Sequence, residues 1–497
     1  MEFSTDGNHT VISNLIMSRL LISAAHKSSG KTTISVGLGA ALQRRGMIVQ
    51  PFKKGPDYID PMWLSAACGR PCYNLDSYLM AHDEIAALFS RHAAAADISL
   101  VEGNKGLYDG LALDGSNSNA ALAHLLDLPV VLVLDARGMT RGAAPLILGY
   151  QAFDSKLRIA GVILNNLGGL RHEEKLRAVI EHYTDVPVLG AVQCDPKLGL
   201  IERHLGLTPG RELDDERQRI EIISRMIADQ VDLDRLVVAA ADVPPLAPQA
   251  APAIITNKQE CPIRIGIARD KAFGFYYADD LDAFSATGAE LIAFDTLSDQ
   301  RLPAVDGVFI GGGFPEIFLA ELEANVSLRE DIRHRIDAGL PVYAECGGLM
   351  YLASTLSWQG RTAQMVGALP GDVVMRDKPV GRGYVRLRET AHALWHTADS
   401  APREGPRDLC AHEFHYSMLE NLPADLTYAY GVHRGHGIDG EHDGIVYRNV
   451  LASYAHLRNS KSNDWVARFV AFVRHTMRSS AKQSVVRCVA EKAAAAC

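Results

Sequence analysis

Two stretches of this sequence carry side chains that could do chemistry. In the first, Ser29-Gly30-Lys31-Thr32-Thr33 follows the apolar Leu20-Leu21-Ile22 and precedes a helix-like segment. Strand, small-residue loop and helix start together build a phosphate cradle. Loop N–H groups and the helix dipole favour an anion, a lysine reaches the outer phosphates, and a hydroxyl serves Mg²⁺. In the second, Glu345-Cys346-Gly347-Gly348 ends the apolar run Val342-Tyr343-Ala344 and opens another helix-like segment. Small residues around a single cysteine at a strand-to-helix junction make a nucleophile elbow. The turn exposes the sulfur, and the N–H groups after it favour thiolate and oxyanion. Upstream, VFIGGGFPE (Val308–Glu316) ends a strand in glycines, so Gly313 and Gly347 are the candidate oxyanion-hole donors.

A cysteine nucleophile needs a base, and the histidines after Cys346 are many: His392, His396, His412, His415, His433, His436, His442, His456 and His475. Spacing alone does not choose among them. Around the first stretch, Asp57 in KKGPDYIDP and Glu102 in VEGNKGLYDG fall at neighbouring strand ends. Two carboxylates beside a Gly-Lys-Thr loop suit Mg²⁺, which takes few protein ligands and relies on phosphates and water. Lys27 stands four residues before Lys31. The signature lysine of partition ATPases stands five before, which counts against that branch.

These residues need elements to hold them. Apolar runs at Ile98–Val101, Leu128–Arg137 and Leu157–Leu167 alternate with amphipathic segments, the pattern of a mostly parallel, doubly wound sheet. Ligands in such sheets sit at the carboxyl ends of the strands, where Asn165-Asn166 also falls. A Pro- and Ala-rich stretch at 239–262 reads as a linker, and a second β-α-β pattern starts at Ile263. The expected organisation is an extension at 1–18, predicted disordered, a nucleotide domain at 19–238, the linker, a second α/β domain at 263–475, and a tail at 476–497 that is loose or helical.

With 497 residues the chain exceeds a single core. Its 47% hydrophobic and 22% charged residues are ordinary for a soluble globular protein. A net charge of −9 without basic runs argues against a nucleic-acid partner. No apolar stretch approaches membrane-spanning length, and the first residues lack the pattern of a signal peptide. The eight cysteines are scattered, which suits a reducing cytoplasm; Cys68 and Cys72 lack the second pair that a metal site would want.

KKGPDYIDP, VEGNKGLYDG and IERHLGL (Ile201–Leu207) together resemble the first domain of the cobyrinate a,c-diamide synthase family, itself similar to dethiobiotin synthetase. GGGFPE and AECGG, followed by HEFHYS (His412–Ser417) and ASYAHL, resemble the class I, flavodoxin-like glutamine amidotransferase domain of the same branch. The resemblance runs from about Arg19 to about Val473 in the family's domain order. It implies two doubly wound α/β domains and a glutamine-hydrolysing ligase that uses ATP and Mg²⁺ to activate a tetrapyrrole carboxylate as an acyl phosphate. By position it places Thr32, Asp57 and Glu102 in the Mg²⁺ and phosphate shell, and Tyr58, Asp60 and Asp109 near the carboxylate. It puts the base at His456. Wider relatives carry a Glu two residues beyond that base, where this chain has Arg458, so a third member must be absent or come from elsewhere. Ala25 for a loop glycine, Asn104-Lys105 and GSNSN (Gly115–Asn119) also depart from the family's form. His412 and His415 are expected to be structural or substrate-side; the aromatics of RDKAFGFYYADDL (Arg269–Leu281) fit either core or family motif. The implied substrate is cobyrinate, amidated on its a and c acetates, with siroheme or a nickel tetrapyrrole as alternatives. A regulatory P-loop ATPase and a non-catalytic carrier are the readings from other classes, and a homodimer is compatible with the sequence.

Overall fold

Parallel strands buried on both faces need no polar alternation, and the apolar runs of the first half behave accordingly. The computed structural model describes residues 17–195, 212–244, 262–395 and 406–494. The IERHLGL motif, most of the linker, Cys261 and His396 lie outside the described residues. Two units emerge, each with its own core.

The first unit's strands are β1 (Ser18–Ala24), β2 (Val49–Lys54), β3 (Tyr73–Leu75), β4 (Ile98–Glu102), β5 (Val130–Asp135), β6 (Ile159–Leu167) and β7 (Val188–Gln193). They form one parallel sheet in the order β3-β2-β4-β1-β5-β6-β7. Helices α1 (Lys31–Arg44), α2 (Ile59–Cys68), α3 (His82–Ala93), α4 (Asn119–Leu125), α5 (Ala143–Phe153), α6 (Leu170–Tyr183), α7 (Glu212–Gln230) and α8 (Leu233–Ala241) alternate with or follow the strands. Ile34, Leu38 and Leu42 of α1 pack with Leu20, Ile22, Val131, Val133 and Ile163 of the sheet and with Ile223 and Ile227 of α7. Each such side chain, fully buried, contributes about 1.5–3 kcal/mol. Because β1 lies between β4 and β5, the loops leaving β1, β2 and β4 open at one end of the sheet. That end is where an open α/β sheet binds ligands.

The second unit begins with β8 (Ile263–Ala268), β9 (Phe273–Phe275), α9 (Ala278–Ala286), β10 (Ala289–Phe294), β11 (Gly307–Ile310) and β12 (Gly312–Gly313). Next come α10 (Leu319–Ala324), α11 (Val326–Asp337), β13 (Val342–Glu345) and α12 (Gly347–Leu352). The remaining strands are β14 (Thr355–Trp358), β15 (Arg361–Gln364), β16 (Asp372–Met375), β17 (Gly381–Glu389), β18 (Asp408–His415), β19 (Ser417–Glu420), β20 (Thr427–Arg434), β21 (His442–Tyr447) and β22 (Val450–Ser453), before the helix α13 (Trp465–Ala494). The main sheet runs β10-β8-β11-β13-β22-β21-β20-β17-β18. It is parallel from β10 to β22 and antiparallel beyond. The doubly wound pattern is therefore the parallel half of a mixed sheet; the other half is hairpins.

An aromatic core sits under this sheet. The Phe309 and Tyr343 rings stack at 5.3 Å, and Trp465 of α13 meets both, at 5.2 and 4.9 Å. Trp465, Val466, Phe469, Val470 and Val473 are all buried, a spacing that puts them on one face of α13. The helix continues without a break through Thr476 to Ala494. Among the described residues no helix is long and apolar enough to cross a membrane.

Candidate functional site

In the first unit the turn after β1 delivers Gly30 at φ +85, a left-handed conformation that glycine adopts without cost. A Cβ there would meet Asn165 Nδ2 at 2.2 Å, and that amide donates to Ser29 O at 2.9 Å. The end of β6 thus clamps the phosphate loop. Lys31 opens α1, and its Nζ donates to Lys105 O at 2.7 Å. The loop after β4 is organised by buried Asn119, whose Nδ2 donates to Ser23 Oγ, Asn104 O and Gly106 O, and whose Oδ1 accepts from Asn104 N.

Around Thr32 the structure assembles a carboxylate cluster. The Thr32 hydroxyl reaches Glu102 Oε1 at 2.8 Å and Asp60 Oδ2 at 3.3 Å. Lys53, placed by the sequence in a polar strand-end cluster but given no role there, lies at the end of β2 with its ammonium 2.5 Å from Asp60, 2.8 Å from Glu102 and 3.9 Å from Asp57. Burial works against the charge on Lys53, but Asp60, Glu102 and Asp57 outweigh it and hold its pKa well above the usual lysine range. Burial pushes the Glu102 carboxyl up to about 7. Asp57 Oδ1 caps the start of α2 by accepting from Ile59 N and Asp60 N. Tyr58 is the N-cap residue of that helix. Asp60 therefore sits with Thr32 and Glu102, while Asp109 lies outside the cluster and accepts from Gly106 N at 2.9 Å.

Three carboxylates against one ammonium leave a formal charge of −2. Glu102 Oε2 is buried and has no hydrogen-bond partner. A buried carboxylate oxygen in that condition calls for a cation, and hard oxygen donors suit Mg²⁺. Among the described residues no group of three or more His, Cys, Asp or Glu is arranged to surround a metal by itself. That fits an ion whose shell is completed by phosphates and water. The residues present fit Mg²⁺.

In the second unit, β13 ends in Glu345 and the chain turns at Cys346 with φ +47 and ψ −101. This conformation is sparsely populated for any residue with a Cβ and costs about 1–3 kcal/mol. It is held by Cys346 N–H donating to Ser453 O at 2.7 Å and by the close packing of the two glycines that follow. A Cβ on Gly347 would meet Gly313 N at 2.9 Å, and one on Gly348 would meet Ile310 O at 2.2 Å. Gly313 has no room for a side chain either, because its Cβ would fall 1.9 Å from Ala272 O. Strand β12 pairs with β9, and the Tyr276 hydroxyl accepts from Gly311 N while donating to Ala268 O. The aromatics of the RDKAFGFYYADDL segment therefore brace the glycine strand that runs beside the elbow.

His456 follows β22, and its imidazole is in hydrogen-bonding contact with the Cys346 thiol. Its Nδ1 stands 3.4 Å from Glu345 Oε2. Burial disfavours the imidazolium, but the contacts with Cys346 and Glu345 outweigh it and lift the pKa to about 10. The other Glu345 oxygen accepts from Tyr343 Oη at 2.5 Å and Leu457 N at 2.8 Å, so the carboxylate is fixed. Asp443, fully buried, accepts from Tyr454 N and Ala455 N and sets the backbone leading into His456. Arg458, where wider relatives carry the acid, instead donates to Asp279 Oδ2 at 2.8 Å and lies over the Tyr277 ring.

His412 and His456 exchange backbone hydrogen bonds, and His415 stacks on Tyr454 at 3.8 Å. Burial pushes both His412 and His415 down to about 3, so both are neutral near pH 7. Glu345 is the acid that sequence reasoning missed. The signal was present as a carboxylate ending an apolar strand directly before the nucleophile, since a buried charge needs a partner. Replacing Glu345 with glutamine should lower glutaminase kcat by roughly 10²-fold with little change in the glutamine KM. Steady-state kinetics on the folded variant check this, and an equal loss in both parameters would count against a role in orienting His456.

A nucleophile elbow with an imidazole, a carboxylate and a glycine strand beside it defines a glutamine amidotransferase unit, and the first unit is of the P-loop nucleotide-binding class. Comparison with known proteins agrees. The CobB/CobQ-like glutamine amidotransferase domain matches residues 264–464, and the AAA domain matches residues 18–201. Cobyrinate a,c-diamide synthase of Magnetococcus marinus is 46% identical over 92% of this chain and 97% of its own. Those of Methanosarcina acetivorans, at 44% over 88% and 92%, and Listeria innocua, at 38% over 89% and 96%, are similar along comparable lengths. The chain belongs to the cobyrinate a,c-diamide synthase family and is a carbon–nitrogen ligase with glutamine as amido donor.

Proposed function

We propose that this chain amidates the a and c acetate carboxylates of cobyrinate, using ammonia from glutamine and phosphoryl transfer from ATP. The observation that carries the reading is the pairing, in one chain, of the Cys346–His456–Glu345 elbow with the Thr32–Asp60–Glu102 cluster beside the phosphate loop. The first makes ammonia; the second prepares an acceptor for it. Cobyrinate is the substrate for which the relatives in Magnetococcus marinus and Methanosarcina acetivorans are named.

In the second unit, Cys346 Sγ attacks the side-chain carbonyl carbon of glutamine with its proton already held by His456, whose raised pKa keeps the imidazole protonated near pH 7. The developing oxyanion is met by the N–H groups of Gly313 and Gly347, donors of a kind worth roughly 10²–10³ in rate each. His456 then returns the proton to the leaving ammonia, and water cleaves the thioester to glutamate. In the first unit, an acceptor carboxylate oxygen attacks the γ-phosphorus of ATP and ADP leaves. Ammonia attacks the acyl phosphate, and inorganic phosphate departs as the amide forms. Lys31 and the N-terminal end of α1 hold the phosphates. Thr32, Glu102 and Asp57 would hold Mg²⁺, which supplies positive charge against the phosphate oxygens. Lys53 keeps Asp60 and Glu102 paired, and Tyr58 and Asp109 border the approach of the acceptor. We place the reaction in the cytoplasm, where a free thiol such as Cys346 stays reduced.

The test is a mass-spectrometric assay with Mg-ATP and glutamine, offering cobyrinate and siroheme in parallel. Each amidation lowers the mass by about one unit, because OH becomes NH₂. Cobyrinate losing two such units supports the proposal. Conversion of siroheme alone would keep the chemistry and replace the substrate. Turnover of neither, with ATP still hydrolysed, would overturn the acceptor assignment.

A further inference from the structure

Beside the phosphate loop, within the first unit, lies an open cavity of about 410 Å³. This is within the usual range for small-molecule sites. Ala25 of the loop, Tyr108 and Asp109 after β4, and Pro145, Tyr150 and Phe153 of α5 line it. The walls are fixed to the loop: Tyr108 Oη donates to Tyr150 O at 2.8 Å, and Tyr150 Oη donates to Ala25 O at 2.9 Å. Tyr108 meets Tyr150 and Phe153 edge-on, at 5.2 and 4.8 Å. With both hydroxyls committed, what the tyrosines offer a ligand is ring surface.

The two segments that build the cavity also expose more apolar surface than folding requires. Phe153 is 75% exposed, and Leu111, Leu113 and Leu148 are exposed as well. Exposed apolar surface on the segments that frame a pocket marks a binding site. The same segments carry cations. Lys27 stands two residues after Ala25, Lys105 three before Tyr108 and Arg141 four before Pro145, all exposed. An aromatic floor framed by segments that carry these cations, with the Arg141 guanidinium over the Tyr183 ring at 5.2 Å, suits a ligand with an apolar ring face and acidic arms.

Resting on the function proposed above, we propose that this cavity docks one edge of the acceptor, a polycarboxylated tetrapyrrole. Its apolar ring face lies on Tyr108, Tyr150 and Phe153, and its peripheral carboxylates turn toward Lys27, Lys105 and Arg141. Ala25 belongs to both the cavity and the phosphate loop, so a macrocycle seated here holds one acetate arm within reach of the transferred phosphoryl group. The departure from glycine at position 25 lies on the cavity wall.

The test is direct binding of cobyrinate by equilibrium dialysis, without nucleotide, to the full chain and to the variants Phe153→Ala and Arg141→Gln. Phe153→Ala should weaken cobyrinate binding about tenfold. Arg141→Gln should weaken it several-fold, with the loss shrinking as salt rises. In turnover, the cobyrinate KM should rise while the KM values for glutamine and ATP hold within twofold, which also reports that the variants are folded. Unchanged cobyrinate binding in both variants, with the wild type binding normally, would overturn the assignment and leave the proposed function standing. A Phe153→Ala variant that binds cobyrinate normally but dissociates from dimer to monomer would overturn it in favour of a contact between copies of the chain. A wild-type protein that binds no tetrapyrrole would overturn the function and the docking site together.

Discussion

Replacing Cys346 with alanine should abolish amidation driven by glutamine, by roughly 10⁴-fold or more, and spare amidation driven by ammonium. The loss is large because nothing else on the elbow can form the thioester. Glu345, His456 and the glycine strand act on the sulfur or on the oxyanion it generates. In the mechanism proposed above the first unit does not need the thiol, because free ammonia can attack an acyl phosphate whatever its source. Initial rates of amide formation with glutamine, and with ammonium chloride at a pH that supplies free ammonia, separate the two. Loss of both activities in a folded variant would refute the division of labour between the units.

Changing Glu102 to glutamine should give the complementary result. Acceptor-dependent ATP turnover should fall by about 10²-fold or more, while a basal glutaminase persists. Glu102 is fully buried, is bonded to Thr32 and Lys53, and carries the unpartnered oxygen that calls for a cation. The amide keeps the shape but halves the formal charge of the cluster, from −2 to −1, and so weakens its pull on a cation. The Mg²⁺ concentration needed for half-maximal ATP hydrolysis should rise accordingly. A titration of Mg²⁺ at fixed ATP reads both effects, and ATP-dependent amidation at the wild-type rate would remove Glu102 from the Mg²⁺ shell.

Local sequence was enough for the parts of each site that are built locally. Gly30-Lys31-Thr32 and Glu345-Cys346-Gly347-Gly348 are each a strand end, a turn and a helix start within a dozen residues. Propensity, small-residue spacing and the dipole argument apply there without knowledge of what packs nearby. The parallel strands were legible because burial on both faces leaves an unbroken apolar run, as in Val130–Asp135. The antiparallel half of the second sheet was not, because β20 and β21 show no alternation of buried and exposed positions, and all of β17, β18, β20 and β21 owe their pairing to one another.

The partners that tune each group come from elsewhere in the chain. Lys53 and Glu102 are 49 residues apart, yet their side chains meet at 2.8 Å because β2 and β4 are neighbours in the sheet. His456 and Cys346 meet because β22 lies beside β13, a pairing between strands with eight others between them in the chain. The same pairing makes Glu345, the residue before the nucleophile, the acid beside the base, a role the sequence sought two residues beyond His456. The sequence by itself determined which groups could bind phosphate and attack an amide, because turn chemistry and residue type are local. Tertiary structure alone decided which histidine, which carboxylate and which ammonium complete those groups. Strand order sets those distances, and strand order follows from how the whole sheet buries its two faces.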